Sequence, residues 1–377
     1  MRWKQDLKSV LFLVLLYALP GGLVWAGNEA GDITDAEFLS RLEAAYASLQ
    51  EDVADHQLKP AKDRNAFTGA FDEAAFSFPA STTGARLDSL ASIEFDDMPI
   101  IYASDGIGGQ EEPAQSGKSV AEIAQQTNNP VSDLWMLFMQ NDFSIYDGDI
   151  SDGKRVLNSF KFQPVMPLLL TEEVRMINRP VFQLQSFDVP TPKANGLDWD
   201  RETGLGDTVL LQAFSPAQGA GNLVWGVGPT WIFPTATDDS LGGEKWAVGP
   251  AAIAMYLGEK WVLGGVVQHW WDYAGDGDRA DVNLTDLQYV LRYKVSPLTQ
   301  LGTGPNIQYN WDTDQLSLPI GLGMDTTKKW GNTVVRYGFD IEYYVHQDDR
   351  YGPEWNLRFF FIPIGKAPAW ASKPLFR

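Results

Sequence analysis

Cysteine is absent from the 377 residues, which excludes disulfides, thiolate metal centres, thiol redox chemistry and a cysteine-borne lipid anchor. Histidine is scarce, with only His56, His269 and His346, and no Gly-x-Ser-x-Gly occurs, so nucleophilic catalysis has few places to be built. Beyond the first 26 residues no run approaches eighteen uninterrupted apolar residues, and a second helical membrane span is therefore not written. Positive charge is short: 29 Lys and Arg stand against 49 Asp and Glu, a net charge of −20 that disfavours binding to nucleic acid.

What is present begins with a secretory signal. Arg2, Lys4 and Lys8 precede an apolar run from Val10 to Leu19, and Val24-Trp25-Ala26 places small residues where a signal peptidase reads, predicting cleavage after Ala26. Cleavage makes the remainder more acidic still, because residues 1–26 set only Asp6 against their three cations. The chain is also rich in rings, with 14 Trp, 13 Tyr and 20 Phe, side chains favoured at membrane interfaces.

From about residue 131 the pattern is period two. Leu223, Trp225, Val227, Pro229, Trp231 and Phe233 form one face, while Gly226, Gly228 and Thr230 lie on the other. Twelve such segments are expected, near 132–144, 154–167, 173–187, 206–215, 223–233, 245–256, 261–272, 284–294, 300–311, 315–324, 333–346 and 354–363. The connections alternate in character. One set carries Asp147, Asp149, Asp152; Asp198, Asp200, Glu202; Asp238, Asp239; Asp276, Asp278, Asp281; Asp312, Asp314; and Asp348, Asp349. The other set is mostly short, as in Leu257-Gly258-Glu259-Lys260 and Val295 to Thr299, with Lys260, Lys328 and Lys329 among its few charges. A soluble sandwich has no reason to sort its loops by parity. The expected fold is all-β, a transmembrane antiparallel up-and-down barrel of about 12 strands over 131–364, with a tail at 365–377.

Ahead of it, 27–130 reads as a partly helical periplasmic segment. Thr34-Asp35-Ala36-Glu37 fits a capping box and opens an amphipathic helix over 35–55. Residues 57–117 are rich in Pro, Gly, Ser and Asp, and Ser119-Val120-Ala121-Glu122 caps a second helix over 119–127.

The run Leu223 to Trp271, LVWGVGPTWIFPTATDDSLGGEKWAVGPAAIAMYLGEKWVLGGVVQHWW, with the earlier NNPVSDLWMLFMQNDF and the later EWNLRFFFIP, resembles a group of bacterial outer-membrane barrels labelled transporters or mislabelled "neuromedin U". The resemblance covers about residues 119–364 and implies a Gram-negative outer-membrane location and a transporter-like role. It implies no catalytic motif, no cofactor and no particular solute.

By alternation, the lumen is expected to be lined by Gln288, Arg292, Lys294, Asn306, Gln308, Asn310, Arg336, Asp340, Glu342, Asn356 and Arg358, and His269 to face lipid. Opposed charges there would either select solutes in a watery pore or pair and block it. Asp238, Asp239, Asp276, Asp278, Asp281, Asp348 and Asp349 form an acidic outer rim expected to hold divalent cations loosely rather than in a dedicated site, since Asp276 to Asp281 lacks the properly placed glycine and the distal bidentate Glu of a calcium loop. The expected partners are outer-membrane lipid and lipopolysaccharide, the barrel-assembly machinery and small solutes. The expectation is a passive channel. The rivals are a non-conducting barrel for adhesion, structure or receptor binding and, further off, a rim hydrolase using His346 with Asp348 and Asp349 opposite Asp238 and Asp239.

Overall fold

The computed structural model describes residues 119–376 apart from 131, 152, 194, 195, 219 and 220, together with Thr34 and Ser40. The signal peptide, the helix expected over 35–55 apart from Ser40, and the stretch 57–117 lie outside the described residues. At 119 the capping box closes in both directions: the Glu122 N–H donates to the Ser119 hydroxyl at 3.2 Å, and the Ser119 N–H donates to the Glu122 carboxylate at 2.7 Å. Two donors that helix geometry would leave orphaned are thereby satisfied, and α1 (Val120–Gln126) starts there.

The strands are β1 (Leu134–Asp147), β2 (Arg155–Leu169), β3 (Val174–Lys193), β4 (Gly196–Leu205), β5 (Thr208–Pro216), β6 (Leu223–Phe233), β7 (Lys245–Leu257), β8 (Trp261–Gly275), β9 (Asn283–Lys294), β10 (Thr299–Thr303), β11 (Asn306–Asn310), β12 (Gln315–Trp330), β13 (Thr333–His346) and β14 (Gly352–Lys366). β4 and β5 both pair with β3, and β10 and β11 both lie between β9 and β12, so each couple is one interrupted stave. Every neighbouring pair is antiparallel, and β1 pairs with β14 as well as with β2, which closes a barrel of 12 strands. Closure leaves no free edge in the barrel wall, the condition a wall in hydrocarbon must meet, and only the projecting β3–β4 hairpin has sides that no further strand pairs.

Alternation then sorts the side chains. Leu137, Phe143, Phe160, Phe182, Leu322 and Phe339 point out of the wall and are exposed, Leu322 by 67%. A surface of bulky exposed apolar groups suits hydrocarbon and not water. Aromatic pairs mark both ends of it: Trp135 with Trp370, Trp261 with Tyr293 and Trp330 with Phe361 at one, Phe233 with Trp246 and Tyr343 with Trp355 at the other. The first end, called inner here, is joined by 170–173, 217–222, 258–260, 295–298 and 331–332. The outer end carries 148–154, the tip of the β3–β4 hairpin, 234–244, 276–282, 311–314 and 347–351.

Four details depart from the sequence reading. Asp198, Asp200 and Glu202 lie in β4, part of a paired hairpin, and not in an open loop. Lys328 and Lys329 belong to β12, which continues to Trp330. The ninth stave breaks at Gly304-Pro305, since proline cannot donate to the ladder. His269 is on the outer wall by register, yet it is buried: it bonds the Thr285 hydroxyl through Nδ1 at 2.7 Å and is covered by the rings of Trp271 and Trp311.

The apolar core is inside the barrel, in its inner half. Met136, Val165, Ile177, Leu211, Ile253, Val262, Phe360 and Ile362 converge there, and Ile123 and Val120 of α1 pack against them. The helix therefore sits in the inner mouth with its apolar side in the lumen.

Candidate functional site

Two chambers lie in tandem inside the barrel. The inner one, about 200 Å³, has mostly apolar walls, among them Met136, Phe138, Val165, Ile177, Ile253, Met255 and Val266, with Thr127, Asn128 and Pro130 from the segment after α1 at its end. The outer one, about 510 Å³, is polar and includes Ser144, Lys161, Gln183, Asp207, Asp286, Gln308 and Tyr344. Gln140, Arg179, Leu211, Gln288 and Arg358 belong to both walls, so these residues stand at the neck between them.

A belt of buried ion pairs runs along one side of the neck, from β9 over β12, β13 and β14 to β1 and β2. Arg292 reaches Asp340 at 2.8 Å and Asp325 at 3.4 Å. Arg336 holds Asp325 in a fork, Nε at 2.8 Å and Nη2 at 3.0 Å, and its Nη1 donates to Asn128 Oδ1 at 2.9 Å, which ties the segment behind α1 to the wall. Arg358 spans Asp142 at 2.9 Å and Glu342 at 2.8 Å, and Lys161 adds a second cation to Asp142 at 3.1 Å. Glycine makes the room. Asp340 stands opposite Gly323, where a Cβ would lie 2.0 Å from Asp340 Oδ1, so the carboxylate lies flat across β12 on its way to Arg292.

On the other side, one bond crosses the lumen. Arg179 on β3 donates to Gln288 Oε1 on β9 at 3.3 Å, and the same guanidinium is steadied by Gln163 Oε1, at 3.2 Å from Nε and 2.5 Å from Nη2. β3 and β9 are far apart around the wall in both directions, so this contact is a bar across the neck. Asp286, in the outer chamber, accepts from Asn306 at 2.8 Å and Gln308 at 3.0 Å.

Nine of the eleven sequence-predicted lining residues thus stand in the chambers or in the network beside them. Glu342 and Asn356 meet at 2.9 Å, and Gln288 forms half of the bar. Lys294 and Asn310 do not join: the Lys294 ammonium donates to the Gly258 carbonyl at 2.6 Å in an inner turn, and Asn310 Oδ1 accepts from the N–H groups of Asp312 and Thr313 at the outer rim. Sequence reasoning missed Asp142, Lys161, Gln163, Arg179, Asp286 and Asp325. In Ser159-Phe160-Lys161-Phe162-Gln163 the signal was present as clean alternation.

At the outer rim the carboxylates mostly hold loops together. Asp238 accepts from the Ser240 N–H at 3.0 Å and the Ser240 hydroxyl at 2.6 Å, and these bonds keep its pKa below the usual carboxylate range. Lys245 pairs with Asp281 at 3.1 Å, Arg279 donates to the Asp239 carbonyl at 2.7 Å, and Asp276 accepts from the Asp278 N–H at 2.9 Å. Asp348 accepts from the Arg350 N–H and from Gln315, while the Asp349 carbonyl accepts from the Asp149 N–H. Among the described residues no group of three or more His, Asp or Glu is placed to hold a metal. His346 Nδ1 donates to the Leu316 carbonyl at 3.1 Å and Asp348 accepts from Gln315, so among the described residues no hydrogen bond links His346 to the carboxylates considered with it for a hydrolase.

No protein family's profile matches the chain, and neither does any curated protein sequence. Among solved structures it is similar to an outer membrane channel from Pseudomonas putida F1, at 17% identity and a TM-score of 0.46, over 62% of this chain and 94% of that one. A FadL homologue from Pseudomonas aeruginosa matches at 8% identity and a TM-score of 0.30, over 63% and 92%. Outer membrane phospholipase A from Escherichia coli matches at 10% and 0.34, over 60% and 89%. With TM-scores below 0.5 none of the three decides anything about this chain, whose fold rests on the closed register of its own strands.

Proposed function

We propose that the chain is an outer-membrane conduit that lets small solutes pass the barrel in two stages, through a polar outer chamber and then an apolar inner one. The observation that carries the reading is the lumen itself: cavities of about 510 and 200 Å³ lie in series and share the walls of one narrow neck. The apolar outer wall with its two aromatic bands supports the membrane location, and the resemblance over residues 119–364 supports the transporter-like role. In this reading residues 1–26 are a cleaved export signal, and 27–130 stand in the periplasm with α1 capping the inner mouth. The barrel-assembly machinery inserts the chain, lipopolysaccharide surrounds its outer band, and cations gather loosely on its acidic loops.

A second reading has its own observation. The belt of ion pairs and the seated α1 fill much of the inner half, as in a barrel that serves binding or structure without passage. Swelling of proteoliposomes in small sugars and amino acids tests the choice. Swelling above that of empty vesicles supports the conduit. A folded barrel that gives none with any solute of that size supports the non-conducting reading.

A further inference from the structure

We infer that Arg179 is a carboxylate-binding residue, and that the solute favoured by this barrel is a small anion with an apolar body, such as a short-chain or aromatic carboxylate, which opens the neck by displacing Gln288 from the guanidinium. The inference rests on the conduit reading and names its solute class.

Charge bookkeeping at the neck singles out Arg179. Of the cations facing the inner chamber, Arg292, Arg336 and Arg358 each have a carboxylate partner within 3.4 Å. Arg179 bonds to none among the described residues; its partners are the neutral carboxamide oxygens of Gln163 and Gln288. Those bonds engage three of the five donors that a guanidinium offers. A buried cation whose bonded partners are all amides, with Asp286 attracting it only through space, is incompletely compensated, and a bond from it to a carboxylate is roughly twice as strong as one to a neutral acceptor. An arriving carboxylate therefore outcompetes Gln288 Oε1. Gln288 keeps its other anchor, Nε2 to the Gly304 carbonyl at 3.2 Å, so the side chain stays on its own wall when the bar opens.

The chamber beside Arg179 fixes the rest of the solute. Its apolar walls enclose about 200 Å³. An apolar cavity of about 150 Å³ already binds benzene, so a ring or a short alkyl chain fits. Arg292, Arg336 and Arg358 on that wall already face Asp142, Asp325, Asp340 and Glu342, so the attraction for an anionic head with its tail in the chamber comes from Arg179. The counterpart for a cation, Asp286, is in the outer wall only and has no apolar chamber beside it. Selection at the neck is thus opposite in sign to the acidic exterior.

The test uses the full chain refolded in lipid vesicles, with hexanoate, hexanol and hexylammonium as probes, titrated by calorimetry against empty vesicles. Hexanoate is expected to bind at least tenfold more tightly than the other two. Arg179→Gln should bring hexanoate to within threefold of hexanol, Arg179→Lys should retain part of the preference, and Gln288→Ala, which removes the competitor, should tighten hexanoate several-fold. A merely structural Arg179 would not give the opposite signs at 179 and 288. Equal binding of the three probes to the parent protein overturns the inference without needing any variant, as does a preference that survives both Arg179 substitutions. Potassium chloride conductance of the same preparations separates the two readings. A conducting barrel with no hexanoate preference removes the site alone, and a silent barrel that binds hexanoate at Arg179 removes the conduit alone.

Discussion

Removing Arg358 tests how dry the neck is. Its side chain is 8% exposed and bonds three partners: Asp142 at 2.9 Å, Glu342 at 2.8 Å and the Gly304 carbonyl at 3.1 Å. In Arg358→Met the methionine keeps the bulk, but two buried carboxylates lose their shared cation. Asp142 retains Lys161 at 3.1 Å and Gln140 at 2.7 Å, whereas Glu342, 1% exposed, keeps only the Asn356 amide at 2.9 Å. Breaking a buried pair from one side costs about 3–5 kcal/mol, and Glu342 carries most of that here. Adding Glu342→Gln removes the stranded charge, so the double variant should recover about 2 kcal/mol relative to additivity. Urea unfolding of vesicle-refolded protein, read by tryptophan fluorescence and by heat-dependent gel mobility, measures all four corners of the cycle. A loss below about 1 kcal/mol for Arg358→Met would refute the reasoning, because it is what a water-screened surface pair gives.

Gly323→Ala should cost about 1–3 kcal/mol in the same unfolding assay, since its Cβ would fall 2.0 Å from Asp340 Oδ1 and 2.1 Å from the Phe339 carbonyl oxygen; Asp340→Ala removes only the first clash, so it should leave most of the cost of the alanine in place. Arg336→Gln should free the segment behind α1, raising amide hydrogen exchange over residues 120–128 by tenfold or more while strands on the far wall are unchanged. Ser240→Ala should return the Asp238 carboxyl toward its ordinary pKa in an NMR titration. Because the native value is depressed, the stabilisation exists above the ordinary carboxylate pKa and fades as pH falls through the lowered one, so the substitution should matter at neutral pH and vanish in acid.

Much of the barrel was legible because alternation has period two and the two faces meet different surroundings. In β6 the bulky row and the Gly226, Gly228, Thr230 row fell on the outside and inside as written, with Thr230 fully buried. Loop parity survived because turn length follows which end of the barrel a connection closes. β4 escaped because its hairpin carries polar residues on both faces and so lacks the apolar row. Arg179 on β3, facing β2, escaped for a different reason. Pro164, Pro167 and Pro180 interrupt their strands, and the β2–β3 ladder does skip there, pairing Phe162 with Phe182 and then Met166 with Asn178. Which lumen groups pair is not written locally at all. Arg292 and Asp340 are 48 positions apart and meet only because intervening staves present Gly302 and Gly323 to the lumen. His269 shows the same limit on the outer wall, where burial came from the rings of Trp271 and Trp311 and not from the strand's own pattern.

The central claim is that the barrel conducts. Single-channel recording of the refolded full chain in planar bilayers with potassium chloride, beside a form lacking residues 27–130, tests it most directly. Small steady ohmic steps are expected from the full chain, and larger ones once α1 no longer occupies the inner mouth. A correctly folded barrel that stays silent in both forms would contradict it.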